Sequence, residues 1–406
     1  MGDVLVLGPV HVERMAQEGG RWRSQIGGSG FTAAIASAAS GAKTVLAGWV
    51  GADEADTARE LLVTEGVDCA ALAVLPGASG RFVVADPADG SSPQPQYRPF
   101  ESTPQGLPRP RLPATRTVLA FGAPELDVIA DGWLDEPDDE RTLLWDRQGW
   151  ISRARDSRLA ALVPARHRIW LGNLDEARLE TGADRDVQAV ASLPLAGFGA
   201  ALVKAGPWGV LHVTADGSET PIGAYPAAGR WSLGTGDAFA GAVAARLAEG
   251  ATEVDAARWG CAFAATMLGE PGNVAGAAVG EAARALIEHP GLFVDPRAVE
   301  TLVCRVACAP TPAGRVLVSA LSARLSHLGL RRGEGCATPA DVVVADLEEA
   351  SESAEVEMSP GGVFIGLAGE AVRRAALPAD ASVCASVEEV GDLVIKRLRE
   401  RLGVAA

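Results

Sequence analysis

The chain has 406 residues, more than one hydrophobic core usually serves, so two domains are expected, and 48% hydrophobic residues suffice to fill them. With 36 Lys+Arg against 52 Asp+Glu the net charge is -16, which argues against a general binder of nucleic acid or of a membrane surface, because both need a basic face. Six scattered cysteines form no dense framework, as expected of reduced thiols in a cytoplasm.

Met1-Gly2-Asp3 leads into an apolar run, Val4 to Leu7, without the charged start and long apolar stretch of a signal peptide, and no stretch is long enough to span a membrane. A soluble, cytoplasmic protein is expected. Val4-Leu5-Val6-Leu7 reads as a buried strand stopped by Gly8-Pro9. Val10 to Glu13 follows, with Glu13 either a substrate ligand or a solvated strand-end charge. Gly27-Gly28-Ser29-Gly30 then enters an alanine-rich helix from Phe31. Gly28, Gly30 and Ala33 fit the spacing of a dinucleotide fingerprint, but residues 20–25 before them do not read as the buried first strand that such a site needs. Close approach of a small polar ligand to this loop is the better reading, and an NAD-dependent dehydrogenase is a minor alternative.

Thr44 to Gly51 reads as a strand, Asp53 to Glu65 as a helix stopped by Gly66, and Ser79 to Asp86 with Asp89-Gly90 as a hairpin arm. Residues 91–113, rich in Pro, Gln and Arg, read as a long surface connection. Apolar runs at 117–122, 142–146, 168–172, 200–204 and 210–213 alternate with helical patterns, which predicts an α/β domain with a mostly parallel sheet. Ligands gather at the carboxyl ends of such strands.

Leu233-Gly234-Thr235-Gly236-Asp237 then opens an apolar helix closed by Glu249-Gly250. Glycines let a ligand approach the backbone, and the first N–H groups of a helix attract anions. A carboxylate would repel a bound phosphate, so Asp237 suits a role beside a hydroxyl that loses its proton as it attacks phosphorus. The plainer alternative is a turn with Asp237 as helix cap.

Four motifs in order resemble the PfkB carbohydrate kinases, also called the ribokinase-like family. They are Gly27-Gly28-Ser29-Gly30 with Gly48 to Asp53, Asn173-Leu174-Asp175-Glu176, Val203 to Gly209, and Gly234-Thr235-Gly236-Asp237. The resemblance runs from about Asp3 to Pro290. It implies a three-layer α/β sandwich with a small β lid and a kinase transferring the γ-phosphoryl group of ATP to a primary hydroxyl of a sugar or nucleoside. Asp237 would be the general base, and Gly234, Thr235 and Gly236 the anion hole. Glu13, Gly27, Gly28, Gly30 and Thr32 would meet the acceptor, Lys204, Gly206 and Gly209 the nucleotide, and Asn173 with Glu176 Mg²⁺ and its waters. The hairpin from Arg81 to Gln96 would be the lid over the acceptor. No Walker A lysine motif competes with this reading.

The chain departs from the family at several points. Trp231-Ser232 stands where Asp-Thr is usual, which removes a monovalent-cation ligand. Glu13 and Thr32 replace Asp and Asn, which suggests an acceptor other than plain ribose. Pro207-Trp208 stands where a basic residue is usual, and Trp208 is expected to pack rather than stack on a ligand.

The expected division is a kinase domain over 1–295, with lid elements at 10–26 and 79–100, a linker over 296–314, and a small α/β domain over 315–406. In the last part, 315–319, 341–345, 362–366 and 381–384 read as strands, 320–328 and 387–402 as helices, and 348–357 as an acidic loop. Cys304 and Cys308, four apart, suit one helix face, but no further Cys or His joins them to make a metal site. A dimerisation or regulatory module is expected there, so a homodimer fits the reading. The alternative to the kinase is a non-catalytic sugar- or nucleotide-binding sensor signalling through that module.

Overall fold

A computed structural model describes residues 3–17, 21–84, 96–102, 115–122, 140–148, 165–193, 197–225, 227, 233–268, 277–289, 291–300, 302–307, 330–332, 340–346, 358–367, 382–384 and 387–402. The chain forms two compact units. The first comprises Met1–Arg14, Trp22–Val83 and Gln96–Phe293, and the second Met15–Arg21, Val84–Pro95 and Val294–Ala406.

The chain opens with β1 (Asp3–Leu7), β2 (His11–Gln17) and β3 (Arg21–Gly27), then α1 (Ser29–Ala39), β4 (Lys43–Gly51), α2 (Ala55–Thr64) and the short β5 (Val67–Asp68) and β6 (Leu72–Leu75). After β7 (Arg81–Val84) and β8 (Gln96–Arg98) come β9 (Thr117–Phe121), β10 (Thr142–Asp146), β11 (His167–Asn173), α3 (Leu174–Thr181) and α4 (Asp186–Ser192). The first unit ends with β12 (Ala200–Lys204), β13 (Val210–Thr214), β14 (Glu219–Ile222), α5 (Thr235–Ala248), α6 (Glu253–Leu268) and α7 (Ala277–Leu286).

Ten strands make one large sheet in the order β14-β13-β12-β11-β10-β9-β1-β4-β5, with β6 also on β4. The run from β12 to β5 is parallel, while β13 and β14 are antiparallel. Its central strands are apolar without alternation, Val4-Leu5-Val6-Leu7 and Val118-Leu119-Ala120-Phe121 among them, because both faces are covered. α1 packs against α5, α5 against α6, and α6 against α7, so the alanines of these helices permit close backbone approach. The sheet's described margins are short. β5 has two residues, and β14 carries Pro221, which has no N–H to offer a further strand.

β3, β2, β7 and β8 form a separate four-stranded sheet. Residues 21–27 are therefore a strand, but one of this small sheet rather than of the large one, and with Trp22 exposed. β8 falls inside the stretch read as a connection. Its pairing with β7, Phe82 opposite Tyr97, supplies the stability that its local composition lacks. His11 lies 5.2 Å from the Tyr97 ring and 5.4 Å from Phe100, which in turn meets Trp49 of the large sheet.

The second unit holds α8 (Pro296–Glu300), β15 (Val303–Ala307), β16 (Arg331–Arg332), β17 (Ala340–Asp346), β18 (Met358–Leu367), β19 (Ser382–Cys384) and α9 (Val387–Arg401). Its five strands are parallel in the order β16-β15-β17-β18-β19. The stretch 296–314, expected as a linker, therefore contributes a helix and a strand. Cys304 sits in β15 rather than on a helix, because pairing with β17 draws Val303–Ala307 into the sheet. The strand expected at 315–319, the helix at 320–328 and the acidic run at 348–357 lie outside the described residues. Among the described residues no helix is long and apolar enough to cross a membrane.

Candidate active site

Three neighbouring parallel strands, β10, β11 and β12, end at Asp146, Asn173 and Lys204. The carboxyl edge of a parallel sheet is where α/β proteins collect ligands. Lys204 Nζ donates to Asp146 Oδ2 at 2.7 Å. Gln148, two residues past β10, donates from Nε2 to Asp237 Oδ1 at 3.1 Å and reaches Asp146 Oδ1 at 3.4 Å. Asp237, in the first turn of α5, thus joins the strand ends.

Gly234 is the N-cap of α5, with φ of 78° and no side chain to cap the helix. Asp237 is therefore not the cap, contrary to the plainer sequence alternative. Its partly buried carboxyl faces Gln148, while the backbone of 234–236 precedes it at the positive end of the helix dipole. A methyl group at Gly236 would stand 3.4 Å from Lys204 Nζ, so the ammonium borders that turn. Burial, reinforced by the charges of Asp146 and Glu13, pushes the Asp237 carboxyl up to about 8 against the pull of Lys204 and the Gln148 hydrogen bond. Burial works to lower the Lys204 pKa, but Asp146, Glu176 and Asp237 together raise it and keep it a cation. Burial draws the Asp146 carboxyl upward despite its ammonium partner.

Asn173 and Glu176 form a capping box. Asn173 Oδ1 accepts from the Glu176 N–H at 2.9 Å, and Glu176 Oε2 accepts from the Asn173 N–H at 2.7 Å. The box holds Glu176, itself buried, at the start of α3 beside the strand ends. Its oxygen donors and carboxylate charge suit Mg²⁺, a hard ion that keeps several waters. No cluster of three or more His, Cys, Asp or Glu set to enclose a metal occurs among the described residues, which is compatible with an ion held largely through water and ligand phosphates.

Glu13 is buried on β2 and clamps the glycine loop. Oε1 accepts from the Gly28 N–H at 3.1 Å, and Oε2 from Gln25 Nε2 at 3.0 Å. A methyl group at Gly27 would stand 2.3 Å from Glu13 Cδ, and one at Gly30 2.5 Å from the Gly8 backbone. The chain itself, rather than only a ligand, requires glycine there. In and around the loop, Ser29 Oγ, Thr32 Oγ1 and His11 Nε2 are buried without a hydrogen-bond partner, which is rare in a finished interior. Burial pushes His11 down to about 3, so it is neutral at pH 7. Gly206 and Gly209 flank a turn after β12, with φ of 57° and 107°, and Trp208 between them is buried, packed as expected.

The sequence motifs thus meet. Glu13, which holds the glycine loop through the Gly28 N–H, also raises the Asp237 carboxyl by its charge. Asp146 and Gln148 carried no motif that the sequence reading used. An acidic residue ending an apolar strand was the available signal for Asp146, and Gln148 had none. Trp231-Ser232 lies outside the described residues.

Residues 150–278 match the family profile described as pfkB family carbohydrate kinase. The fold is the ribokinase fold. A fructokinase from Vibrio cholerae O395 with fructose, ADP and potassium bound superposes with a TM-score of 0.60 at 19% identity, covering 71% of this chain and 98% of that one. An E. coli protein assigned as ribokinase II, in complex with ATP and Mg²⁺, gives 0.57 at 18% identity over 71% and 100%. Adenosine kinase from Sinorhizobium meliloti gives 0.57 at 17% identity over 70% and 99%. No curated protein matches the chain in sequence.

Proposed function

We propose that the protein is an ATP-dependent kinase that moves the γ-phosphoryl group of ATP to a primary hydroxyl of a sugar or nucleoside. What carries the reading is Asp237, a carboxylate of raised basicity set behind an uncapped helix start and facing the strand-end cluster. Asp237 takes the proton of the acceptor hydroxyl as its oxygen attacks the γ-phosphorus, and the bond from phosphorus to the ADP oxygen breaks. The N–H groups of Gly234, Thr235 and Gly236 receive the charge of the phosphoryl oxygens in flight, and a donor of this kind is worth about 100-fold or more in rate. Lys204 adds a fixed positive charge beside that turn, and Gly206, with nothing within 4 Å of where a methyl group would stand, leaves room for the nucleotide, while Gly209 shapes the turn against the backbone of Ile222. Asn173 and Glu176 would hold Mg²⁺ through its waters, and the ion supplies neutralisation of the ATP phosphates. Glu13 holds the glycine loop in shape, and Thr32, with Ser29 and His11, offers unsatisfied polar atoms to a polyhydroxylated acceptor.

The test is ATP consumption by the wild type and by Asp237→Asn over a panel containing fructose, ribose and adenosine. A phosphorylated acceptor in the wild type and a turnover loss of at least about 100-fold in the variant are expected. Near-full activity in Asp237→Asn would sink the mechanism, and silence of the wild type across a broad panel would sink the assignment.

A further inference from the structure

Gln148 and Asp146 are the members of the strand-end cluster with no role in that scheme, and Gln148 is the one that touches Asp237. It is buried, it follows β10 by two residues, and its side-chain nitrogen lies between two carboxyl groups. An amide nitrogen has two hydrogens and no acceptor capacity. With one N–H to Asp237 Oδ1 and the other to Asp146 Oδ1, both hydrogens are used. With Asp237 ionised, the flipped amide would set its carbonyl oxygen against two carboxylates, so the reactive form of the base selects this orientation. Asp146 is itself held by Lys204 through its other oxygen. A line of contacts therefore runs from the Lys204 ammonium through Asp146 and Gln148 to Asp237.

We propose that Gln148 is a positioning residue for Asp237: its amide fixes the Oδ1 oxygen, turns the second oxygen towards the acceptor hydroxyl, and stabilises the ionised base. The inference rests on the kinase reading of Asp237. A neutral donor suits this place better than a second cation. A lysine here would hold the carboxylate charged but weaken it as a base, whereas an amide orients it at a smaller cost in basicity. The charged groups that act on Asp237 are Asp146 from β10, Glu13 from β2 and Lys204 from β12. Asp146 and Glu13 oppose its ionisation, while Lys204 and the Gln148 amide favour it.

Gln148→Leu removes both donors and leaves an apolar side chain one bond shorter. The carboxyl titration of Asp237, followed by ¹³C NMR of Asp-labelled protein and assigned by the signal missing in Asp237→Asn, should then move to higher pH by at least about half a unit. Turnover near pH 7 should fall about tenfold or more, the usual scale for a hydrogen bond to a charged group, with KM for ATP changed less than about threefold. Gln148→Glu keeps the length but replaces the donor with a charge, and should move the titration the same way and further. If the Leu variant does not fold, the Glu variant decides. An unmoved Asp237 titration with unchanged turnover overturns the inference. The titration needs no acceptor, so this failure is distinct from failure of the kinase reading, which shows as a wild type silent on every acceptor or as an active Asp237→Asn.

Discussion

Gly241 lies one helical turn beyond Asp237, on the same face of α5, where that helix crosses α1. A methyl group added there would stand 2.1 Å from the Ala33 carbonyl oxygen and 2.8 Å from its carbon. Since real Cβ atoms essentially never lie within 3.0 Å of such a neighbour, Gly241→Ala must part the two helices by about 0.9 Å. Overpacking of this kind costs about 1–3 kcal/mol. Alanine recovers about 1 kcal/mol through its better helix propensity, so a net loss of up to about 2 kcal/mol and a Tm lower by up to roughly 4 °C are expected. The larger effect should fall on turnover. A displacement approaching 1 Å at the first turn of α5 moves the base away from the attacking oxygen, and such misplacement costs on the order of 100-fold. Calorimetry and initial rates of ATP consumption at saturating ATP measure the two effects. A variant with raised Tm and unaltered kcat would refute the claim that the α1–α5 contact sets the position of Asp237.

Asp237 must be ionised to accept a proton, and its carboxyl is pushed up to about 8, so kcat/KM should climb about tenfold per pH unit below pH 8 and level off above it. A flat profile from pH 6 to 9 contradicts this. The same raised pKa means that ionisation opposes folding from about pH 4 upward, the cost growing until about pH 8. Asp237→Asn should therefore melt higher than the wild type at pH 8, with the gap closing towards pH 4, and a lower Tm of the variant at pH 8 argues against it. Glu13→Gln removes a charge that raises Asp237, so the acidic limb of kcat/KM should shift to lower pH; an unmoved limb separates the two residues. Far from this edge, burial works to raise the Glu253 pKa, but hydrogen bonds from His167 and His212 overcome it and hold the carboxyl down at about 2. That stability is present above about pH 4.5 and lost as pH falls through 2, so Glu253→Gln should lower Tm at pH 7, by the equivalent of roughly 1–3 kcal/mol, and match the wild type near pH 2.

The large sheet was legible because its strands are unbroken apolar runs, as in Val118-Leu119-Ala120-Phe121, and because glycine or an N-cap residue follows most of them. The turn before Asp237 was legible for the same local reason. What escaped the sequence depends on partners distant along the chain. Lys204 meets Asp146 across 58 positions and Gln148 meets Asp237 across 89, and nothing in the local pattern of either pair announces the other. Asn173 and Glu176 show a different limit. Their spacing carried the expected family motif, yet it is also the spacing of a capping box, and the structure uses it as one. β8 and β15 are short, and their strand character comes from pairing rather than composition.

Among the described residues, two residues at one rim of the large sheet and a proline at the other leave little exposed backbone for a second copy to pair with. Stacking of molecules by continuing this sheet, the route towards cross-β fibrils, is thereby discouraged. Replacing Pro221 with a β-branched residue would restore the missing N–H and turn that rim into a template, so loss of clarity in concentrated solutions of such a variant is the cost this single ring structure holds off.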